Sequence, residues 1–286
     1  MKKSISWWSF PGALAGKPEL SLRECMQLAR DAGFEGIELW LEEKGDINLN
    51  STRQEMKRIL ELAREIGIEI NSLATGLLFQ YTLTSGKKEI REKGKAVVKK
   101  MLELAHHLKV DAVLVIPGAV DVFFNPSIEV VPYDVAYRRS FEAIKECVPI
   151  AEEYKVTIGL ENVWNKFLLS PLEFRDFVDK FNSEYVGVYF DVGNILLTGY
   201  PEQWIRILGK RIKQIHIKDF RRRVGNAEGF VDLLEGDVNW KAVILALQEV
   251  GYERYLTAEM IPPYSQHPEA LIYNTSRSMD FILERS

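Results

Sequence analysis

Apolar residues along this chain recur in two alternating rhythms. Short runs with every second residue apolar, or apolar throughout, read as strands, and longer segments with apolar residues three and four apart read as helices. Ile5 to Trp8 is a predicted first strand, followed by a helix over Leu22 to Ala32 with Ser21 as its cap and Gly33 at its end. GIELW (Gly36 to Trp40) is strand two, and Thr52 to Ile66, closed by Gly67, is the next helix. Strand three covers Ile68 to Leu73. A long charged helix over Lys88 to Leu108 keeps Val97, Met101, Leu104 and Leu108 at helical spacing. Strand four covers Ala112 to Gly118, with a helix from Asp134 to Tyr154. Four further runs end at Glu161, Asp191, His216 and Glu259, and helices follow near Leu172 to Phe181, Glu202 to Leu208, Trp240 to Val250 and Pro268 to Leu283. Eight such alternations without a linker, repeat or low-complexity stretch predict a single (β/α)8 TIM barrel over residues 1–286.

In that fold all strand C-terminal ends lie on one rim, where barrel active sites are built. Strand side chains alternate faces with period two. Thr157, Gly159 and Glu161 therefore share a face, as do Gly187, Tyr189 and Asp191. The same count groups Ile212, Gln214, His216 and Lys218, then Tyr255, Thr257 and Glu259. Each last-four strand thus brings one acidic or imidazole group to the same end and face. A carboxylate alone at a strand end serves equally as a helix cap or a solvated loop residue. A lone histidine in an apolar strand reads as a hydrogen-bonded core residue. Three carboxylates converging on one rim, however, repel one another unless a cation joins them. The expectation is one divalent-metal site made of Glu161, Asp191, His216 and Glu259. Carboxylates with one imidazole and no thiolate favour a fairly hard ion, Mn²⁺ first, with Mg²⁺, Co²⁺ or Zn²⁺ as alternatives.

Composition narrows the partners. With 47% hydrophobic and 27% charged residues and a formal charge of −4, the chain carries no basic footprint for nucleic acid. Its two cysteines, Cys25 and Cys147, sit in helix-like runs and read as buried thiols in a reducing, cytoplasmic setting. At the N-terminus Ser4, Ser6, Ser9, Pro11 and Gly12 interrupt the apolar stretch well short of a signal segment, and nothing later approaches a membrane span. The expected partner is a small molecule, with neither nucleic acid nor membrane. Assembly into a homo-oligomer through the outer helices is left open.

Several motifs resemble the xylose isomerase-like TIM-barrel superfamily, in its sugar phosphate isomerase/epimerase branch. They are GLENVW with Glu161, YFDVGN with Asp191, IHIKDF with His216 and Lys218, and TAEM with Glu259, joined by GFEGIELW and GDVNW. The branch includes ketose 3-epimerases and L-ribulose-5-phosphate 3-epimerases. The resemblance covers essentially the whole chain and implies a sugar or sugar-phosphate isomerase or epimerase, with ketose 3-epimerisation foremost. It also implies that Glu161 and Glu259 both bind the metal and exchange the proton. Removing a proton beside a ketone leaves an enediolate, whose negative charge a metal stabilises. Epimerisation then needs a base on one face of that plane and an acid on the other.

The chain departs from the free-ketose 3-epimerases in two places. Asn194 stands where those enzymes commonly have a histidine, and their Asn-Arg-Phe segment is here Asn165-Lys166-Phe167, displaced by one residue. For substrate contacts the sequence offers Trp40 and Trp164, with Trp7 and Trp8, as aromatic faces for sugar C–H groups, against ordinary packing at the barrel mouth. It further offers Glu38 for a hydroxyl, or for a structural hydrogen bond, together with Asn194, Lys218 and His267. Arg222, flanked by Arg221 and Arg223, matches the arginine spacing of the epimerases, and the loop after strand seven is a place where barrels bind phosphate. His106 and His107 read as helix decoration. The same ligand set serves keto-inositol dehydratases and aldose–ketose isomerases, which remain alternatives, and a silent sugar-binding protein would not need two opposed carboxylates. Endonuclease IV shares the barrel but needs a histidine-rich site, which four histidines in all do not supply.

Overall fold

The helices form where local chemistry ends them cleanly. Ser21 and Thr52 each close a capping box with the glutamate three residues on, Glu24 and Glu55, at the starts of helices Leu22–Asp31 and Arg53–Ile66. Gly67 takes the left-handed conformation, φ 83°, that closes the second of them. The computed structural model describes residues 1–13, 16, 18–122, 124–125 and 127–285. Its strands are β1 (Lys2–Ser6), β2 (Gly36–Trp40), β3 (Glu69–Ala74), β4 (Ala112–Val115), β5 (Thr157–Glu161), β6 (Val186–Asp191), β7 (Ile212–Ile217) and β8 (Tyr255–Ala258). They pair in parallel in sequence order and β8 closes on β1, giving the expected (β/α)8 barrel. Among the described residues no helix is long and apolar enough to cross a membrane.

Outward-facing strand residues such as Ile37, Val113, Ile158, Val188, Ile215 and Leu256 are fully buried against the helices. Each contributes roughly 1.5–3 kcal/mol by leaving water. The inner face is instead polar, with Ser4, Glu38, Ser72, Gln214 and Thr257 all wholly buried. That interior holds because its groups bond one another. Ser4 Oγ meets Asn71 Oδ1 at 2.5 Å, and the Asn71 amide reaches Thr257 Oγ1 at 3.0 Å. Gln214 Nε2 donates to the Asn71 carbonyl at 3.0 Å.

Four expectations shift. The first strand runs earlier, and Trp7–Ser9 forms a 3₁₀ turn. Strand four stops at Val115, two residues before Pro117, which has no N–H for the ladder. The helix over Asp134 to Tyr154 is two helices, Tyr133–Lys145 and Val148–Tyr154, because Pro149 cannot continue the first and sits well in the opening turn of the second. On β7 Ile212 pairs with Val188 and Gln214 with Tyr189, so a bulge at Lys213 moves Ile212 off the inner face assigned to it.

Candidate metal centre

At the C-terminal rim Glu161 ends β5, Asp191 ends β6, His216 lies in β7 and Glu259 follows β8. One ligand atom from each lies within 4.8 Å of the others, and all four side chains are buried. His216 Nδ1 stands 3.5 Å from Glu161 Oε1 and 3.8 Å from Glu259 Oε2.

Two of these donors have spent their other atom elsewhere. Asp191 Oδ1 accepts from the Asn194 N–H at 2.8 Å, capping the short helix Val192–Ile195, while Oδ2 has no hydrogen bond. His216 Nε2 bonds Glu38 Oε1 at 2.9 Å, while Nδ1 is buried without a hydrogen bond. Both orphaned atoms turn toward the cluster. Buried lone pairs left unpaired are costly, and a cation between them satisfies both. This donor set fits a divalent ion.

The electrostatics agree. Burial pushes Glu161 up to about 7, with His216 opposing and Glu259 adding to the shift. Burial likewise raises Asp191, against the pull of Lys218. Lys218, beyond β7, brings a positive charge to the cluster. Its Nζ lies 3.0 Å from Asp191 Oδ2, outside bonding alignment, and donates to Glu259 Oε2. Burial works against its charge, but Asp191, Glu259 and Glu161 outweigh it and hold the ammonium well above its usual range.

Beneath the cluster lies a second layer. Glu38 is wholly buried on β2, and its Oε2 accepts from Ser72 Oγ at 2.8 Å and from the Tyr189 hydroxyl at 2.5 Å. Burial works to raise its pKa, but His216 and these donors keep the carboxyl below its ordinary value. The expectation that Glu38 meets a sugar hydroxyl is thereby corrected. Both of its oxygens are spent under His216, which it holds with Nδ1 toward the rim. Glu38→Leu is expected to weaken Mn²⁺ binding by about 10- to 100-fold in a calorimetric titration. Glu38→Gln, which keeps an acceptor oxygen, is expected to lose less, and parental affinity in Glu38→Leu would remove the second layer from the metal's account.

Two more anchors are absent from the sequence reading. Asn162 clamps β5 to β6 from both sides, its Oδ1 accepting from the Asp191 N–H and its amide donating to the Asp191 carbonyl, each at 2.8 Å. Asp219, wholly buried, accepts from the backbone N–H of Phe220, Leu234 and Val238 and from the Trp240 indole, at 2.9 to 3.2 Å. Gly236 packs so closely on it that a Cβ would come within 2.0 Å of Asp219 Oδ1. GDVNW is thus a cradle for one carboxylate. Neither residue shows in a period-two count, because the chain has already left the strand.

The sequence matches the family described as xylose isomerase-like TIM barrel over residues 26–282. The chain belongs to that family. An uncharacterized protein of Methanocaldococcus jannaschii is 26% identical over 182 residues, covering 61% of this chain and 59% of that protein. L-ribulose-5-phosphate 3-epimerase UlaE of Escherichia coli O1:K1 is 22% identical over 265 residues, covering 92% and 89%. A crystal structure of D-psicose 3-epimerase in the presence of D-fructose superimposes with a TM-score of 0.78 at 16% identity, covering 98% of each chain.

In this xylose isomerase-like barrel a cavity of about 480 Å³ opens above the cluster, with Glu161, Glu259 and Lys218 in its wall. Trp40, Trp164 and Asn194 also line it, as does Trp8. Trp164 Nε1 donates to the Asn194 carbonyl at 2.8 Å, and the Asn194 amide reaches the Asn162 carbonyl at 3.0 Å. Trp7 turns away into the core. Two assignments are corrected. Arg222 is exposed and turned from the cavity, its N–H on Asp237 and its guanidinium over the Tyr200 ring at 5.5 Å. His267 is 84% exposed at the start of the last helix, 3.5 Å from Glu269, because its left-handed cap conformation turns it outward. Phe79 in the short helix Leu77–Gln80, Phe230 in the short strand Phe230–Val231, and Phe124 also line the cavity, from segments that carry no motif.

Proposed function

We propose that this chain is a divalent-metal-dependent sugar epimerase, acting on a ketose or ketose phosphate at carbon 3. The observation that carries the reading is the pair Glu161 and Glu259, which come from strands on opposite sides of β7, stand 3.5 and 3.8 Å from His216 Nδ1 and both reach the cavity wall. The name of the Escherichia coli relative supports the reaction class. Glu161, Asp191, His216 and Glu259 would hold the ion, Mn²⁺ by preference with Mg²⁺, Co²⁺ or Zn²⁺ as alternatives. When bound, it supplies Lewis acidity toward the oxygens beside the reacting carbon.

The remaining work falls to the chain's own residues. One glutamate takes the proton from carbon 3, and the other returns a proton to the opposite face of the planar enediolate. Burial raises the Glu161 carboxyl to about 7 in the metal-free site, and a cation bound there opposes that shift. Lys218 binds Glu259 Oε2 and stands beside Asp191, so it balances part of the acidic charge. Trp40, Trp164, Asn194 and Lys218 are the substrate contacts of this reading. Cys25 and Cys147 are buried free thiols, consistent with a reducing cytoplasm.

Incubating the Mn²⁺-loaded protein with ketoses in D₂O and following carbon 3 by NMR tests the reaction. Deuterium at carbon 3 together with inversion is the expected result. Exchange at carbon 1 instead would make the enzyme an aldose–ketose isomerase, loss of water a dehydratase, and no exchange into any sugar would end the proposal.

A further inference from the structure

Six aromatic rings among the described residues line the cavity, and they come in pairs from three sectors of the rim. Trp8 and Trp40, beyond β1 and at the end of β2, have centroids 4.3 Å apart. Phe79 and Phe124, beyond β3 and β4, stand edge to face at 4.8 Å, and Trp164 and Phe230, beyond β5 and β7, lie 5.1 Å apart. All six line the same space as the two glutamates. The first pair is braced from behind, since a Cβ at Gly76 would sit 3.0 Å from Trp40 and 3.1 Å from Trp8.

Among the described residues the cavity wall carries one cation, Lys218. It is committed to Glu259 and Asp191, and its Nζ lies over the Phe230 ring, 5.3 Å from the centroid. Arg221 pairs with Glu235 at 3.0 Å, and Arg222 lies on Asp237 and Tyr200. A phosphate dianion at the outer end of the cavity would face ring π-surfaces, which carry negative charge density. A neutral sugar ring presents C–H groups to those same surfaces. At about 480 Å³ the cavity lies in the range that encloses ligands of drug size.

We infer that the substrate is a glycosylated ketose, with its keto end at the glutamates and a second, neutral sugar ring held among these three aromatic pairs. The inference rests on the epimerase reading for which end reacts, and on the aromatic rim for what the other end is.

Three compounds differing only at oxygen 6 test it: fructose, fructose 6-phosphate and 6-O-glucosyl-fructose, each offered to the Mn²⁺-loaded protein in D₂O and titrated by calorimetry. The glucosylated ketose is expected to bind about ten-fold or more tighter than either other compound and to show the highest kcat/KM for exchange at carbon 3. Trp8→Ala and Phe230→Ala are expected to raise its KM about ten-fold more than that of fructose, with kcat little changed. A kcat/KM for the phosphate equal to or above that of the glucosylated ketose overturns the inference and leaves the epimerase reading standing. If no compound exchanges, the epimerase reading fails, and calorimetry still decides the inference: tighter binding of the glucosylated ketose supports it, and equal or tighter binding of the phosphate overturns it.

Discussion

Glu161→Gln is expected to lower epimerisation by about two to four powers of ten, and Glu259→Gln by the same order. The amide keeps the size of the carboxylate and one oxygen that can still face an ion, but it cannot accept the proton. Neither change should unfold the barrel. Glu161 sits near Glu259 and Asp191, so Glu161→Gln relieves repulsion and leaves the melting temperature of the metal-free protein unchanged or higher, whereas Glu259→Gln also takes a counter-charge from buried Lys218 and should melt earlier. Separate measurement of turnover and of solvent deuterium uptake is the informative pairing. A variant with one intact glutamate is expected to exchange the proton on that face without inverting the centre. Inversion at the parental rate by either variant would remove that residue from the chemistry.

Asp191→Asn and His216→Ala are expected to cost the protein its ion, lowering occupancy at limiting Mn²⁺ by about ten-fold or more, as read by elemental analysis after dialysis. The two substitutions act differently on the fold. The asparagine keeps an oxygen for the Asn194 N–H, so the cap of helix Val192–Ile195 survives, while buried Lys218 loses one of its counter-charges. Removing the imidazole also leaves Glu38 buried beside a void with one acceptor unpaired, so His216→Ala should melt earlier as well. Parental metal content in both variants would rule out a site built by these four residues.

The barrel and the meeting of Glu161, Asp191, His216 and Glu259 were legible because both follow from one regularity. Alternation along a strand fixes the face, and barrel closure fixes the rim, so four strand ends suffice to bring the four side chains together. The misreadings arise where that regularity stops. Ile212 was placed on the wrong face because a bulge at Lys213 inserts a residue that no hydropathy pattern announces. The helix from Asp134 to Tyr154 was read through Pro149, although the ring's clash with the preceding turn was there to be read. Glu38 was correctly turned inward, but depth along the strand separates a residue under the histidine from one above it. Period two carries no depth. Arg222 and His267 lie in irregular loops, whose direction depends on contacts with Asp237, Tyr200 and Glu269 that are remote from any local pattern.

Asp219 has a consequence for how this rim can change. A single carboxylate grips the chain where it leaves β7, at Phe220, and again where it returns, at Leu234, Val238 and Trp240. The segment between these grips carries Phe230 to the cavity, whereas Lys218 lies just before the first. Residues 221–229, between the paired segments Asp219–Phe220 and Phe230–Val231, therefore behave as an insert whose two ends are pinned together. Selection, or an engineer, can vary its length and its composition, while Glu161, Glu259 and the strands below keep their positions.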